Sequence, residues 1–191
     1  MAATTLQTEY KDKIAPKIQA ELGVKNVMAV PRIEKVKISV GLGKIARKAS
    51  NSMDDAKIEV ICDNVALITG QKPTTHNAKK AISNFKTRAG MTIGVSVTLR
   101  GARAHDFISK LVNITLPRVR DFRGIKANAF DGHGNYSLGL KDYTVFPEVD
   151  PVKVELTHGI EITVVTTAND DTGGRALLTA MGFPFQKPAT K

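Results

Sequence analysis

Apolar positions along the chain fall into two periods, one helical and one extended. Leu6, Tyr10, Ile14, Ile18 and Leu22 recur every fourth residue and are followed by Gly23. That spacing predicts an amphipathic opening helix with a glycine at its C-terminal end. Pro16 lies inside the run and lacks a backbone donor, so a kink or a restart is expected there. After Pro31, Val36, Ile38, Val40 and Leu42 alternate with Lys35, Lys37, Ser39 and Gly41. A period of two predicts a strand with one apolar and one cationic face. Ser52 with Asp55 resembles a capping box, and Ile58, Ile61, Cys62, Val65 and Ile68 then keep helical spacing up to Gly70. From Met91 to Arg100 the alternation returns, with Ile93, Val95, Val97 and Leu99 inward and Thr92, Gly94, Ser96, Thr98 and Arg100 outward.

Phe107, Ile108, Leu111, Val112 and Ile114 predict a third helix that ends at Pro117. Arg118 to Asn135 reads as a loop whose Gly124, Gly132 and Gly134 permit unusual backbone angles, and a connection this long points to function. Further strands are expected over residues 137–140, 152–156 and 159–167. A last helix is expected over 175–181, closed by Gly182, with the Gly173-Gly174 pair weakening its start. Strands that leave one face wet, interspersed with helices, predict an α+β domain. Its sheet is mainly antiparallel, with helices packed on one face and the other face polar and basic. A single domain over 1–191 is expected, with a projecting basic loop at about 75–88.

Hydrophobic residues at 42% and charged residues at 24% are globular values and exclude a disordered chain. No apolar stretch approaches the roughly 20 residues of a membrane span, and no continuous apolar run opens the chain, so a soluble, cytoplasmic protein is expected. One cysteine excludes a disulfide framework and a multi-cysteine zinc site; Cys62 is expected as a small buried hydrophobe.

Charge changes the picture. The net value is +10, from 28 Lys and Arg against 18 Asp and Glu. Residues 31–48 carry six cations against one anion, and 71–126 carry twelve against Asp106 and Asp121 alone. Such a patch is the electrostatic footprint of a phosphate-backbone binder. Lys72, Lys79, Lys80, Lys86 and Arg88 share a stretch with Gly70, Pro73 and Gly90, which predicts a mobile cationic loop. Arg118, Arg120 and Arg123 form a second cluster, where the planar guanidinium fork suits phosphate. Aromatics are only 5% and Trp is absent, so base stacking on an aromatic sheet is not expected to dominate. Strand faces bearing Lys, Ser and Thr fit the phosphates and ribose hydroxyls of folded RNA better.

Catalytic motifs fare poorly. Gly41-Leu-Gly-Lys44 lacks the Walker spacing, because Ile38 and Ile45 stand where Gly and Ser or Thr are required. His76, His105, His133 and His158 form no local metal-ligand pair. Asp131 and His133 are a candidate acid-base pair for a small hydrolase, although Asp is also common in turns because it caps its own backbone. No metal, cofactor or small-molecule substrate is expected. The residues point to an RNA-binding α+β protein without catalytic machinery, with a free RNA chaperone or translational regulator as the alternative.

Specific strings add a resemblance. Met28-Ala-Val-Pro31-Arg-Ile-Glu-Lys35, Ile68-Thr-Gly-Gln-Lys-Pro73, Val97-Thr-Leu-Arg-Gly101, Leu116-Pro-Arg-Val-Arg-Asp-Phe-Arg-Gly124, Phe130-Asp-Gly, Gly134-Asn-Tyr-Ser-Leu-Gly139 and Phe146-Pro-Glu148 resemble, in order, the bacterial L-five family of large-subunit ribosomal proteins. Gly159-Ile-Glu-Ile-Thr-Val-Val-Thr-Thr-Ala168 and Met181-Gly-Phe-Pro-Phe185 look like its last strand and C-terminus. The resemblance implies a non-enzymatic protein that binds 5S rRNA and helps attach it in the central protuberance, near 23S rRNA and neighbouring large-subunit proteins. It also implies contact with the P-site tRNA elbow and an intersubunit bridge to a small-subunit head protein. Carried over, the 5S rRNA surface would include Lys35, Lys37, Ser39, Gln71, Lys72, Thr98 and Arg100; the cluster Arg118, Arg120 and Arg123, read from its charge, would add further rRNA contacts. The tRNA would meet Thr75, Asn77, Lys79, Lys80, Lys86 and Arg88. The chain departs from the family at Ser39, where Asn is usual, at Asn77, Ala81 and Asn84 in the tRNA loop, and at His133, where Arg is usual. The loss of a cation at Asn77 implies weaker, less salt-dependent tRNA contact.

Overall fold

Backbone hydrogen bonding explains how the opening helix accommodates its proline. In the computed structural model, which describes residues 6–43, 54–149 and 157–186, α1 (Leu6–Glu9) passes into a π-helical turn (Tyr10–Ile14) and then α2 (Ala15–Leu22). The Ala15 N–H reaches back to the Tyr10 carbonyl, one residue further than an α-helical bond. The wider turn sits directly before Pro16, which has no N–H to give. Gly23 then ends α2 in the left-handed region at φ 65°.

Five strands, β1 (Ile33–Gly41), β2 (Thr74–Asn77), β3 (Thr92–Arg100), β4 (Tyr136–Leu140) and β5 (Ile160–Thr166), form one antiparallel sheet in the order β2-β3-β1-β5-β4. With α3 (Asp55–Thr69), α4 (Ala102–Lys110) and α5 (Asp171–Ala180) the fold is α+β, as the two periods predict. The expected strand at 152–156 and the Ser52 cap lie outside the described residues. The strand alternation holds in β1, where Val36, Ile38 and Val40 are at most 3% exposed while Lys37 is exposed and Lys35 and Ser39 are half-buried. Each fully buried aliphatic side chain of this kind contributes roughly 1.5–3 kcal/mol.

Packing groups the chain into two units, one comprising residues 1–36, 99–138 and 163–191, the other 37–98 and 139–162. In the first, α4 starts at Ala102, five residues before the expected apolar run, and continues as a π-helical turn (Leu111–Thr115) and a short 3-10 turn (Leu116–Arg118). Phe107, Ile108, Leu111 and Leu116 are buried, but Ile114 is 45% exposed, because the wider π turn rotates it off the apolar stripe. Tyr136 donates to the Lys126 carbonyl at 2.7 Å, and burial pushes its pKa up to about 12. Its ring meets Phe130 and Phe185 edge-on, with centroids 4.9 and 5.6 Å away. Ile125 N–H donates to the Pro184 carbonyl at 2.8 Å, which ties the loop expected over 118–135 to the C-terminal segment.

The last helix corrects the sequence reading. It begins at Asp171, so Gly173 and Gly174 lie inside it, and Asp170 caps it by accepting from the Gly173 N–H at 3.2 Å. Gly174 is required by a close approach: an added Cβ would overlap the carbonyl oxygen of Gly134. Gly134 is itself held by its N–H to Asp171 at 3.0 Å and by Thr166 Oγ1, which donates to its carbonyl at 2.8 Å.

In the second unit, α3 buries Ile58, Ile61, Val65 and Ile68, while Cys62 is only half-buried, contrary to its expected place in the core. Burial, then the Asp63 and Glu59 carboxylates, push its thiol up, so the proton is kept. On β3, Ser96 is buried and Ile93 is 40% exposed, the reverse of the expected faces at these two positions. Tyr143 and His158 stack with centroids 4.0 Å apart and planes within 3°. His158 Nδ1 lies 3.4 Å from the Gly159 carbonyl, so it carries the ring proton, and the buried Nε2 has no hydrogen-bond partner among the described residues.

Two outcomes follow from this packing. Gly174→Ala would gain about 1 kcal/mol from helix propensity alone, but rigid backbone faces the new methyl, so a net loss of roughly 1–3 kcal/mol is expected in chemical denaturation. A variant as stable as the parent would remove the close approach as an explanation. The second outcome concerns pH. Burial lowers the pKa of His158 and of His105. An unfolded histidine takes a proton near pH 6.5, whereas these two take it only at lower pH. Between those values the unfolded state binds more protons, so stability is full above about pH 6.5 and falls as pH drops. Melting at pH 7.5 and 5.5 should show a drop that is smaller in His158→Phe, which keeps the stack and removes the titration.

Candidate nucleic-acid interface

The pleat of β1 places Lys35, Lys37 and Ser39 on one face, opposite its buried valines and isoleucine. Lys35 Nζ lies 3.4 Å from a Glu34 carboxylate oxygen, a partly exposed pair that costs little to open. Ser39 is already engaged: its hydroxyl donates to Glu161 Oε2 of β5 at 3.1 Å. Its single proton is therefore directed at the carboxylate, and its oxygen is left as an acceptor. Glu161 is exposed and puts a negative charge beside the lysine row, a feature the sequence reading did not include. The only signal for it was period: Glu161 alternates with buried Ile160 and Ile162 on a strand whose neighbour could not be known from spacing.

On β3, Thr98 is half-buried and Arg100 exposed, both on the face opposite Val97 and Leu99. Gln71 and Lys72 follow the end of α3, where Gly70 turns left-handed at φ 66° and its N–H returns to the Ala66 carbonyl at 2.8 Å. Thr69 Oγ1 donates to the Val65 carbonyl at 2.7 Å and receives the Gln71 N–H at 3.3 Å, so Gln71 leaves the helix in a fixed direction. Arg118, Arg120 and Arg123 are exposed on the segment after α4, around a turn in which Asp121 is left-handed at φ 54°.

The basic loop begins later than expected. Thr75 and Asn77 belong to β2, with Thr74 opposite Ser96, Thr75 opposite Val95 and His76 opposite Gly94, and an irregularity falls before Asn77. A lone strand of four exposed residues has no apolar alternation to announce it. Asn77 Oδ1 accepts from Thr92 Oγ1 at 3.1 Å, so this residue holds the hairpin together. His76 Nε2 lies 2.6 Å from Ser96 Oγ, which accounts for the burial of Ser96 on an otherwise open strand face. Lys79, Lys80, Lys86 and Arg88 are all exposed on the hairpin that connects β2 and β3.

Asp131 does not act on His133 as an acid-base partner. Its carboxylate accepts from Asn135 Nδ2 at 2.7 Å, from the His133 N–H at 2.9 Å and from the Asn135 N–H at 3.1 Å. These bonds, the Asn135 side chain first, hold its pKa below the usual carboxylate range. The arrangement closes a turn, with the His133 backbone rather than its ring as partner. Among the described residues no three His, Cys, Asp or Glu side chains gather as a metal site, and no helix is long and apolar enough to cross a membrane.

Comparison with known proteins supplies the family of the chain. Residues 26–88 match the family described as Ribosomal protein L5, and residues 92–185 match the family model for the C-terminus of the same ribosomal proteins. The large ribosomal subunit protein uL5 of Bdellovibrio bacteriovorus is 51% identical over 183 residues, covering 95% of this chain and 98% of its own. That of Desulfatibacillum aliphaticivorans is 49% identical over 184 residues, covering 96% and 99%. That of Acidobacterium capsulatum is 46% identical over 187 residues, covering 98% and 100%. With an open lysine-bearing strand face, a cationic hairpin and relatives matched over nearly their whole length, the chain belongs to the uL5 family of large ribosomal subunit proteins, structural components rather than enzymes.

Proposed function

We propose that the chain anchors 5S rRNA in the central protuberance through the open face of β1 and β3, and meets the P-site tRNA elbow through the hairpin after β2. The observation that carries this reading is the division of β1, with Val36, Ile38 and Val40 buried on one side and Lys35, Lys37 and Ser39 presented on the other. A strand fixed on its apolar side holds the backbone of its cations at the 3.3–3.4 Å per-residue rise, so two lysines start from a set spacing with little backbone entropy left to lose. Thr98 and Arg100, with Gln71 and Lys72, extend the rRNA contacts, and Arg118, Arg120 and Arg123 supply further phosphate contacts. Cations neutralise backbone charge, while Ser39, Gln71 and Thr98 fix register through hydrogen bonds. In the assembled cytoplasmic ribosome the same chain would lie near 23S rRNA, neighbouring large-subunit proteins and a small-subunit head protein across an intersubunit bridge.

Salt-titrated binding to 5S rRNA, beside a scrambled RNA of equal length, tests the division. A preference for 5S rRNA is expected. Lys35→Ala with Lys37→Ala should lower its affinity by roughly 10- to 100-fold and reduce the salt slope by up to about two, one for each lost phosphate contact. Lys79→Ala with Lys80→Ala should leave 5S binding nearly intact. Equal affinity for both RNAs would favour a free RNA chaperone or regulator that reads phosphate alone. Neutralising the acid of the same face gives a separate check: Glu161→Gln should raise affinity for the scrambled RNA by about 2- to 5-fold at low salt, and screening should erase that gain at high salt.

A further inference from the structure

The hairpin after β2 carries more than charge. Ala78 N–H donates to the Met91 carbonyl at 2.8 Å and Gly90 N–H to the Ala78 carbonyl at 2.9 Å, which closes its base. Nearer the tip, Ile82 and Thr87 exchange backbone bonds at 3.1 and 3.2 Å. Lys86 N–H reaches the Ser83 carbonyl at 2.8 Å in a turn that holds Lys86 left-handed at φ 52°. The tip is thus a closed, hydrogen-bonded turn, and Phe85 stands in it.

Phe85 is 69% exposed and is the one exposed aromatic side chain among the described residues, which include all ten of the chain's Phe and Tyr. Ile82 at 47% and Ile93 at 40% join it in lining a groove of about 720 Å³, with Lys79 and Lys80 on its walls. Three large apolar side chains facing water in one place cost solvation free energy that the core does not recover. Residues 78–91 contain Lys79, Lys80, Lys86 and Arg88 and no acidic residue. The groove is therefore complementary to a polyanion that also offers an apolar face, and unpaired RNA has both. Its phosphates meet the lysines and its base supplies a π-face, whereas a continuous duplex keeps its π-faces stacked inside.

We propose that Phe85, with Ile82 and Ile93, is a stacking platform for an unstacked nucleobase of the RNA that the hairpin meets. The proposal rests on the reading of this hairpin as the tRNA-facing element and names the part of the ligand it takes: a loop nucleotide rather than a paired stem. Lys79 and Lys80 bring the backbone in without regard to sequence, and the ring then selects strands that can release a base. The closed turn presents the ring before binding, so little ordering is needed when the base arrives.

The chain has no Trp, so Phe85→Trp in the full-length protein gives a single fluorescent reporter at the platform. On addition of tRNA its emission should be quenched. A fully paired RNA of the same length should bind with similar salt dependence and leave the emission unchanged. Phe85→Ala and Phe85→Leu should both lower tRNA affinity, by roughly 5- to 150-fold, the range of one base-aromatic stack, with the salt slope kept. Lys79→Ala with Lys80→Ala should lower the slope instead. Unchanged tRNA affinity in Phe85→Ala, beside a loss in the lysine variant, would sink the platform and leave the tRNA reading standing. Restored affinity in Phe85→Leu would show plain apolar docking, as for a protein partner, and would also overturn it. Failure of the parent protein to bind tRNA at low salt would overturn both.

Discussion

The two-residue period of β1 is the constraint on which the rest of the molecule depends. Because the pleat sends successive side chains to opposite faces, burial of Val36, Ile38 and Val40 forces Lys35, Lys37 and Ser39 outward, and no other register keeps both the core and the lysine row. A slip by one residue would bury two lysines and expose the core, at a cost far above the marginal stability of a domain of this size. Fold and proposed binding surface are therefore set by one interaction, the packing of one strand face. The same strand lies between β3 and β5, so the outward side chains of its neighbours share its surroundings.

The neighbours modify this surface in ways that charge alone does not describe. Glu161 takes the Ser39 proton and places an anion beside the lysines, so the face is a mixed one that repels phosphate at one point while attracting it at others. His76 covers Ser96, and Asn77 is held by Thr92, so the residues that lead into the basic hairpin serve its geometry. At its far end the turn around Lys86 fixes the tip. A contact surface built in this way loses little backbone freedom on binding, which suits the proposed role of holding RNA in place.

What could be read from the sequence follows the range of the interactions. The opening helix, β1, the buried face of α3 and the loop glycines are local patterns, and the chain spells them out. Positions that depend on partners distant in sequence carry no such local signal. Gly173 and Gly174 look like helix breakers until the Gly134 backbone is seen against Gly174 and the Asp170 cap beside Gly173, and β2 has four exposed residues whose only reason to be extended is the edge of β3. Ser96 is buried by a histidine twenty residues earlier, and Glu161 meets Ser39 across 122 residues. The cationic character of the candidate interface was legible because charge is a property of composition. Its hydrogen-bonded register and its one acidic member were not, because strand order is set by tertiary packing.

The central claim, that the open face of β1 is the rRNA surface and the hairpin is a separate one, is tested most directly by lysine acetylation read by mass spectrometry, with and without 5S rRNA. The account predicts that Lys35 and Lys37 lose reactivity in the complex, while Lys79, Lys80 and Lys86 react as they do in the free protein. Protection of the hairpin lysines with Lys35 and Lys37 still reactive would contradict it, and would move the rRNA site from the sheet to the hairpin.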